Sequence, residues 1–133
     1  MKSPDSSSRK TILLVEDEPS ITSVCCRALT NKGFEVDVGI NGKVAQSMIE
    51  KKQYDLCLID MRTPIMDGEE LYVWLLQEHP QMARKVIFTT GDVMGGEITG
   101  FIERSGMPFL PKPFTPDQLQ SVVSSTLKSI END

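Results

Sequence analysis

Histidine is almost missing from this chain. Among 133 residues it occurs once, at His79, and there are three cysteines, one tryptophan and two tyrosines. Cys25 and Cys26 are adjacent and Cys57 lies in an apolar run, so no disulfide framework is expected and no Cys-x-x-Cys pairing suggests zinc. The cysteines read as small buried hydrophobes of a reducing compartment, which gives a cytoplasmic expectation. His79 precedes Pro80 and reads as a solvent-facing residue of a helix's last turn. No apolar run is long enough to span a membrane, and no signal-peptide pattern is present. Basic residues are outnumbered, 14 to 19, giving a net charge of −5. That balance lacks the basic footprint of direct nucleic-acid binding.

What is present alternates. Residues 1–9 are polar and Ser-rich and read as a disordered tail or linker. Thr11–Val15, Phe34–Val38, Leu56–Ile59, Val86–Thr89 and Met107–Leu110 read as five short strands, mostly apolar. Between and after them lie helical stripes. Ile21, Val24, Cys25, Ala28 and Leu29 form the first. Val44, Ala45, Met48 and Ile49 form the second. Leu71, Trp74, Leu75 and Glu78 form the third, closed by His79-Pro80. The fourth, Val93–Glu103, contains Gly95, Gly96 and Gly100, each costing roughly 1 kcal/mol relative to Ala. It is expected to be short or mobile. The last stripe is Leu119, Val122, Val123, Thr126, Leu127 and Ile130. Residues 131–133 read as a C-terminal tail. Strands alternating with helices imply a parallel sheet covered on both faces, with too few units for an eight-fold barrel.

The run from Tyr54 to Gly68 organises the rest. Its strand stops at Asp60, a Pro64 loop follows, and Asp67 reads as the N-cap of the next helix. Asp60 thus sits at the carboxyl edge of a central strand, where open α/β sheets bind ligands. The other strand-to-helix loops emerge on the same edge and bring Glu16, Asp17, Thr90 and Lys112. Crowded carboxylates need a counter-charge. An all-oxygen set suits Mg²⁺, and a metal, an ammonium and a hydroxyl around one carboxylate suit a phosphoryl group on it. Strand-end acids also serve as helix caps, and a lysine there can be merely solvated.

Taken together, Glu16-Asp17, Asp60-x-x-x-Pro64-x-Met66-Asp67-Gly68, Thr90-Gly91 and Phe109-Leu110-Pro111-Lys112-Pro113-Phe114 resemble the receiver domain of two-component response regulators. The resemblance covers residues 10–130. It implies a doubly wound (βα)5, flavodoxin-like fold with strand order 2-1-3-4-5, the order illustrated by a chemotaxis receiver. It implies that Asp60 is the phosphoacceptor, taking a phosphoryl group from a phosphohistidine of a sensor histidine kinase or histidine phosphotransfer protein. By the same resemblance Mg²⁺ is held by Asp17, Asp60 and the Arg62 backbone carbonyl, with Glu16 binding through water. Thr90 and Lys112 grip phosphoryl oxygens, and the Lys112–Pro113 bond is expected to be cis. Phe109 occupies the aromatic switch position, and the fourth helix, fifth strand and fifth helix form the face a downstream protein reads. A stand-alone receiver and a piece of a hybrid kinase or longer regulator both fit the sequence.

Three departures stand out. Thr63 replaces a frequent methionine, with only a packing effect expected. Phe109 lacks the common tyrosine hydroxyl. Arg62 and Asp92 occupy positions that face each other across the site mouth in this family, and they are expected to pair and restrict water's access. Arg62 as a solvated loop residue is the alternative. The implied function is a phosphorylatable switch in a phosphorelay, not an enzyme turning over a metabolite. A Mg²⁺-dependent aspartyl phosphohydrolase is the alternative, but such enzymes usually carry an acid where Arg62 stands. A docking module that is never phosphorylated is a third reading.

Overall fold

The protein's structure is a computed structural model and describes residues 9–91 and 96–132. The chain runs β1 (Thr11–Val15), α1 (Pro19–Thr30), β2 (Glu35–Gly39), α2 (Gly42–Lys51), β3 (Leu56–Asp60) and α3 (Gly68–Glu78). A single turn, α4 (Pro80–Ala83), precedes β4 (Val86–Thr90), α5 (Gly96–Ser105), β5 (Phe109–Pro111) and α6 (Pro116–Glu131). The five strands are parallel and lie in the order β2-β1-β3-β4-β5, with helices on both faces.

Side-chain alternation along the strands feeds two cores, one per face. Leu13, Val15, Cys57 and Ile59 pack with Ala45, Leu71 and Leu75. Ile12, Leu14, Leu56 and Leu58 pack with Cys25, Leu29, Leu119 and Val123. Every residue of β3 and β4 is buried, so each large apolar side chain there contributes about 1.5–3 kcal/mol. The central strand is thereby fixed, and with it the position of Asp60 at its end.

Helix caps set where the site loops stop. The Asp67 side chain accepts from the Glu70 N–H while Glu70 accepts from the Asp67 N–H, a full capping box that starts α3. Thr115 and Gln118 do the same for α6. Asn41 caps α2 through the Val44 N–H.

Several expectations needed correction. The second strand begins at Glu35, not Phe34: the Phe34 N–H is still tied to Leu29 O at the end of α1, and the ladder to β1 starts with the Glu35 N–H on Lys10 O. Pro80 does not simply end a helix: it starts α4, where proline fits the first turn. Tyr72, not Trp74 or Glu78, joins Leu71 and Leu75 among the buried residues of α3. His79 is only partly solvent-facing. It is half-buried, its Nε2 lies 2.8 Å from Glu50 Oε2, and its ring lies 4.9 Å from that of Trp74. The fifth strand is shorter than expected, three residues ending at Pro111. Glu131 belongs to α6 and pairs with Lys10 at 3.4 Å. Part of the fourth helical stripe, residues 93–95, lies outside the described residues, as does the tail over residues 1–8.

Candidate phosphoacceptor site

Parallel strands deliver their carboxyl ends to one edge, and four of the predicted side chains meet there. Glu16 follows β1 directly, and its N–H extends the ladder to Gly39 O at 3.0 Å. That position buries its side chain, leaving 2 % exposed. Glu16 Oε2 accepts the Glu18 N–H at 3.1 Å, and Oε1 lies 2.9 Å from Lys112 Nζ. Asp60, the last residue of β3, is 4 % exposed. Its Oδ2 lies 3.2 Å from Lys112 Nζ, and its Oδ1 accepts the Arg62 N–H at 3.2 Å. Asp17 is exposed, yet one carboxylate oxygen from each of Glu16, Asp17 and Asp60 lies within 4.8 Å of the others.

The electrostatics follow from three carboxylates facing one ammonium. Burial pushes the Glu16 carboxyl above its usual pKa, and the Asp60 charge adds to this. The hydrogen bond from Lys112 offsets only part. Burial pulls the Lys112 ammonium down, but the Glu16 hydrogen bond and the Asp60 charge outweigh it, so the group ends above its ordinary value. Lys112 is therefore not the solvated lysine of the bland alternative. It is a charged pivot between two acids, and the site as a whole stays negative. An all-oxygen donor set of net negative charge, with an exposed member at its mouth, fits a hard divalent cation such as Mg²⁺.

Thr90 is the last residue of β4 and is buried. Its carbonyl accepts the Lys112 N–H at 3.0 Å, which ties the ends of β4 and β5 together beside Asp60. Thr89, its neighbour, is the register partner of Asp60. The Lys112–Pro113 peptide is cis. Phe109 opens β5 opposite Phe88 and packs, half-buried, on the core cluster of that face. Arg62 is exposed at the mouth, and Asp92, its expected partner, lies outside the described residues.

Two features of the acceptor loop escaped sequence reading. The Thr63 hydroxyl donates to Met66 O at 2.7 Å, and Ile65 adopts a left-handed φ of 70°. Short-range bonding by a threonine hydroxyl is a known alternative to packing and is the one signal that could have pointed to the first. Nothing in a β-branched residue announces the second.

A five-stranded parallel sheet in this order, with an acidic cluster and a lysine at its carboxyl edge, defines the receiver class of signalling domain. The profile of the response regulator receiver domain matches residues 12–124, and the chain belongs to that family. It is 33% identical over 129 residues to the sensor kinase CckA of Brucella abortus, covering 96% of this chain and 13% of that protein. It is 32% identical over 117 residues to the transcription factor SKN7 of Saccharomyces cerevisiae, covering 88% of this chain and 18% of that protein. The chain thus spans less than a fifth of the length of either relative.

Among solved structures, a CheY-like receiver domain protein from Methanospirillum hungatei superimposes with a TM-score of 0.85 at 28% identity, covering 94% of this chain and 98% of that one. The receiver domain of the sensor histidine kinase PA1611 from Pseudomonas aeruginosa, solved with a magnesium ion coordinated in its active site cleft, gives 0.80 at 28% identity, covering 90% and 98%. Receiver domains of this family therefore occur both alone and within larger regulators. Among the described residues no helix is long and apolar enough to cross a membrane.

Proposed function

We propose that the chain is a phosphorylatable switch whose acceptor is Asp60. The observation that carries this is the placement of the Lys112 ammonium 3.2 Å from Asp60 Oδ2 within a three-carboxylate cluster. A carboxylate oxygen of Asp60 attacks the phosphorus of a phosphohistidine on a sensor histidine kinase or phosphotransfer protein. The P–N bond breaks, its electron pair returns to the imidazole nitrogen, which takes up a proton, and an acyl phosphate forms on Asp60. Lys112 and Thr90 hold phosphoryl oxygens as charge builds on them.

Asp17, Asp60 and the Arg62 backbone carbonyl would hold Mg²⁺, with Glu16 reaching it through water. The magnesium in the PA1611 receiver supports this assignment. A cation there supplies neutralisation of charge on the transferring group. Phosphorylation is read at the face formed by α5, β5 and α6, through inward movement of the Phe109 ring, by a downstream protein. By the family resemblance, Arg62 and Asp92 tune the acyl phosphate's lifetime. Non-additive changes in that lifetime across Arg62→Ala, Asp92→Ala and the double variant are the expected outcome.

Intact mass after incubation with acetyl phosphate tests the reading. Wild type gains one phosphoryl group with Mg²⁺, while Asp60→Asn does not, nor does wild type without the metal. Steady turnover of a simple phosphomonoester would instead favour the phosphohydrolase.

A further inference from the structure

The loop from Met61 to Asp67 is built around one carbonyl. Met66 O accepts the Gly42 N–H at 3.0 Å and the Thr63 hydroxyl at 2.7 Å. The Met66 N–H donates to Pro64 O at 2.7 Å, closing a three-residue γ-turn centred on Ile65 at φ 70°. A γ-turn with positive φ is the rare, strained form, and a β-branched residue there is an outlier. Ile65 is 80 % exposed, so burial of its side chain does not hold the turn. The hold comes from the bonds on Met66.

The loop is pinned at both ends. At one, a Cβ on Gly42 would stand 2.6 Å from Met66 O, so the start of α2 abuts the loop backbone directly. At the other, the Gly68 N–H donates to Met61 O at 3.1 Å, and a Cβ on Gly68 would meet Met61 Cα at 2.8 Å. Between the pins lies Arg62, whose N–H donates to Asp60 Oδ1. Thr63 is the one residue between those pins whose buried side chain ties the loop to itself, closing it from Thr63 to Met66.

We infer that Thr63 is a positioning residue for the acceptor site. Its hydroxyl, by holding Met66 O, fixes the loop that presents the Arg62 peptide to Asp60 and to the cation. The inference rests on the proposed acceptor reading. It replaces the expectation that Thr63 affects packing alone. Without the hydroxyl, Met66 O keeps its bond to Gly42 and the γ-turn keeps its own Met66 N–H to Pro64 O bond, but the loop loses the tie from Thr63 to Met66 that braces the strained Ile65 backbone.

The test compares Thr63→Val, which keeps shape and loses the hydroxyl, with Thr63→Ser, which keeps the hydroxyl. Thr63→Ala serves the same comparison should the valine methyl crowd the loop. Mg²⁺ alone is titrated while backbone amide shifts are followed, and acetyl phosphate labelling is timed at sub-saturating Mg²⁺. Losing one hydrogen bond should weaken Mg²⁺ binding and slow labelling about three- to tenfold in Thr63→Val, with Thr63→Ser close to wild type. Wild-type Mg²⁺ affinity in Thr63→Val overturns the inference, and so does a serine variant as weak as the valine one. A wild type that binds no Mg²⁺ removes the acceptor reading as well, whereas normal wild-type binding with an unaffected valine variant removes the positioning role alone.

Discussion

Lys112 Nζ stands 2.9 Å from a Glu16 carboxylate that solvent barely reaches. The same ammonium lies 3.2 Å from Asp60, so one cation separates two buried acids. Removing one partner of a buried ionic group leaves the other without compensation. Lys112→Met should therefore destabilise the chain by about 3 kcal/mol at neutral pH, the low end for a buried pair because Lys112 keeps some exposure. Glu16→Gln should be nearly neutral, since an amide oxygen can still accept from Lys112 and one repulsive charge is gone. Urea unfolding with and without Mg²⁺ checks both, and added Mg²⁺ should recover part of the Lys112→Met loss. A Lys112→Met variant as stable as wild type would contradict the pivot role.

Beside the edge strand β2, Tyr54 OH donates to Asp37 Oδ2 at 2.8 Å, and Lys52 Nζ lies 3.0 Å from the same oxygen. Burial alone would raise the Asp37 carboxyl, but these two bonds outweigh it and hold it below its usual value. A lowered carboxyl stabilises the fold above its unfolded pKa, and that stability is lost as pH falls through the folded one. The Tyr54 hydroxyl is pushed up by burial and by Asp37, so its share is lost in alkali, as pH rises past the ordinary tyrosine value. Tyr54→Phe should cost about 1 kcal/mol at neutral pH and flatten the fall of stability at both extremes. Thermal unfolding across pH reads this directly. Unchanged pH curves would show that the pair carries none of it.

Two glycines should respond to alanine in opposite directions. At Gly68 a Cβ would lie 2.8 Å from Met61 Cα and 2.9 Å from Asp60 O, both backbone atoms that cannot swing away. Gly68→Ala should cost about 2 kcal/mol through overpacking and slow phosphorylation by displacing Asp60. At Gly100, inside α5, a Cβ would meet only the flexible end of Arg104 at 3.1 Å. Gly100→Ala should add about 1 kcal/mol and slow amide exchange along α5. Uniformly slow exchange there already in wild type would contradict the expectation of a mobile output helix.

The sheet was legible because its central strands are buried on both faces and so read as unbroken apolar runs. The site was legible because parallel strands put all their carboxyl ends on one edge, which is enough to place Glu16, Asp17, Asp60 and Lys112 together. Asp67 and Thr115 announced their helices by capping chemistry alone. What stayed hidden depended on contacts distant in sequence or on backbone angles. Tyr54 gives no sign that it bonds Asp37 on the edge strand. Glu16 and Asp17 are neighbours of one chemical type, yet one is buried and the other exposed. Pro80 carries two meanings, helix stop and helix start, and the local sequence does not choose between them. Thr63 and Ile65 look like variable loop residues until the γ-turn is seen.

The most direct test of the account is chemical trapping of the phosphorylated residue. Borohydride reduces an acyl phosphate on aspartate to homoserine, which peptide mass mapping locates. After incubation with Mg²⁺ and acetyl phosphate, or with a phosphohistidine donor protein, homoserine should appear at position 60 and nowhere else. Homoserine at another aspartate, or none with either donor, would contradict Asp60 as the phosphoacceptor.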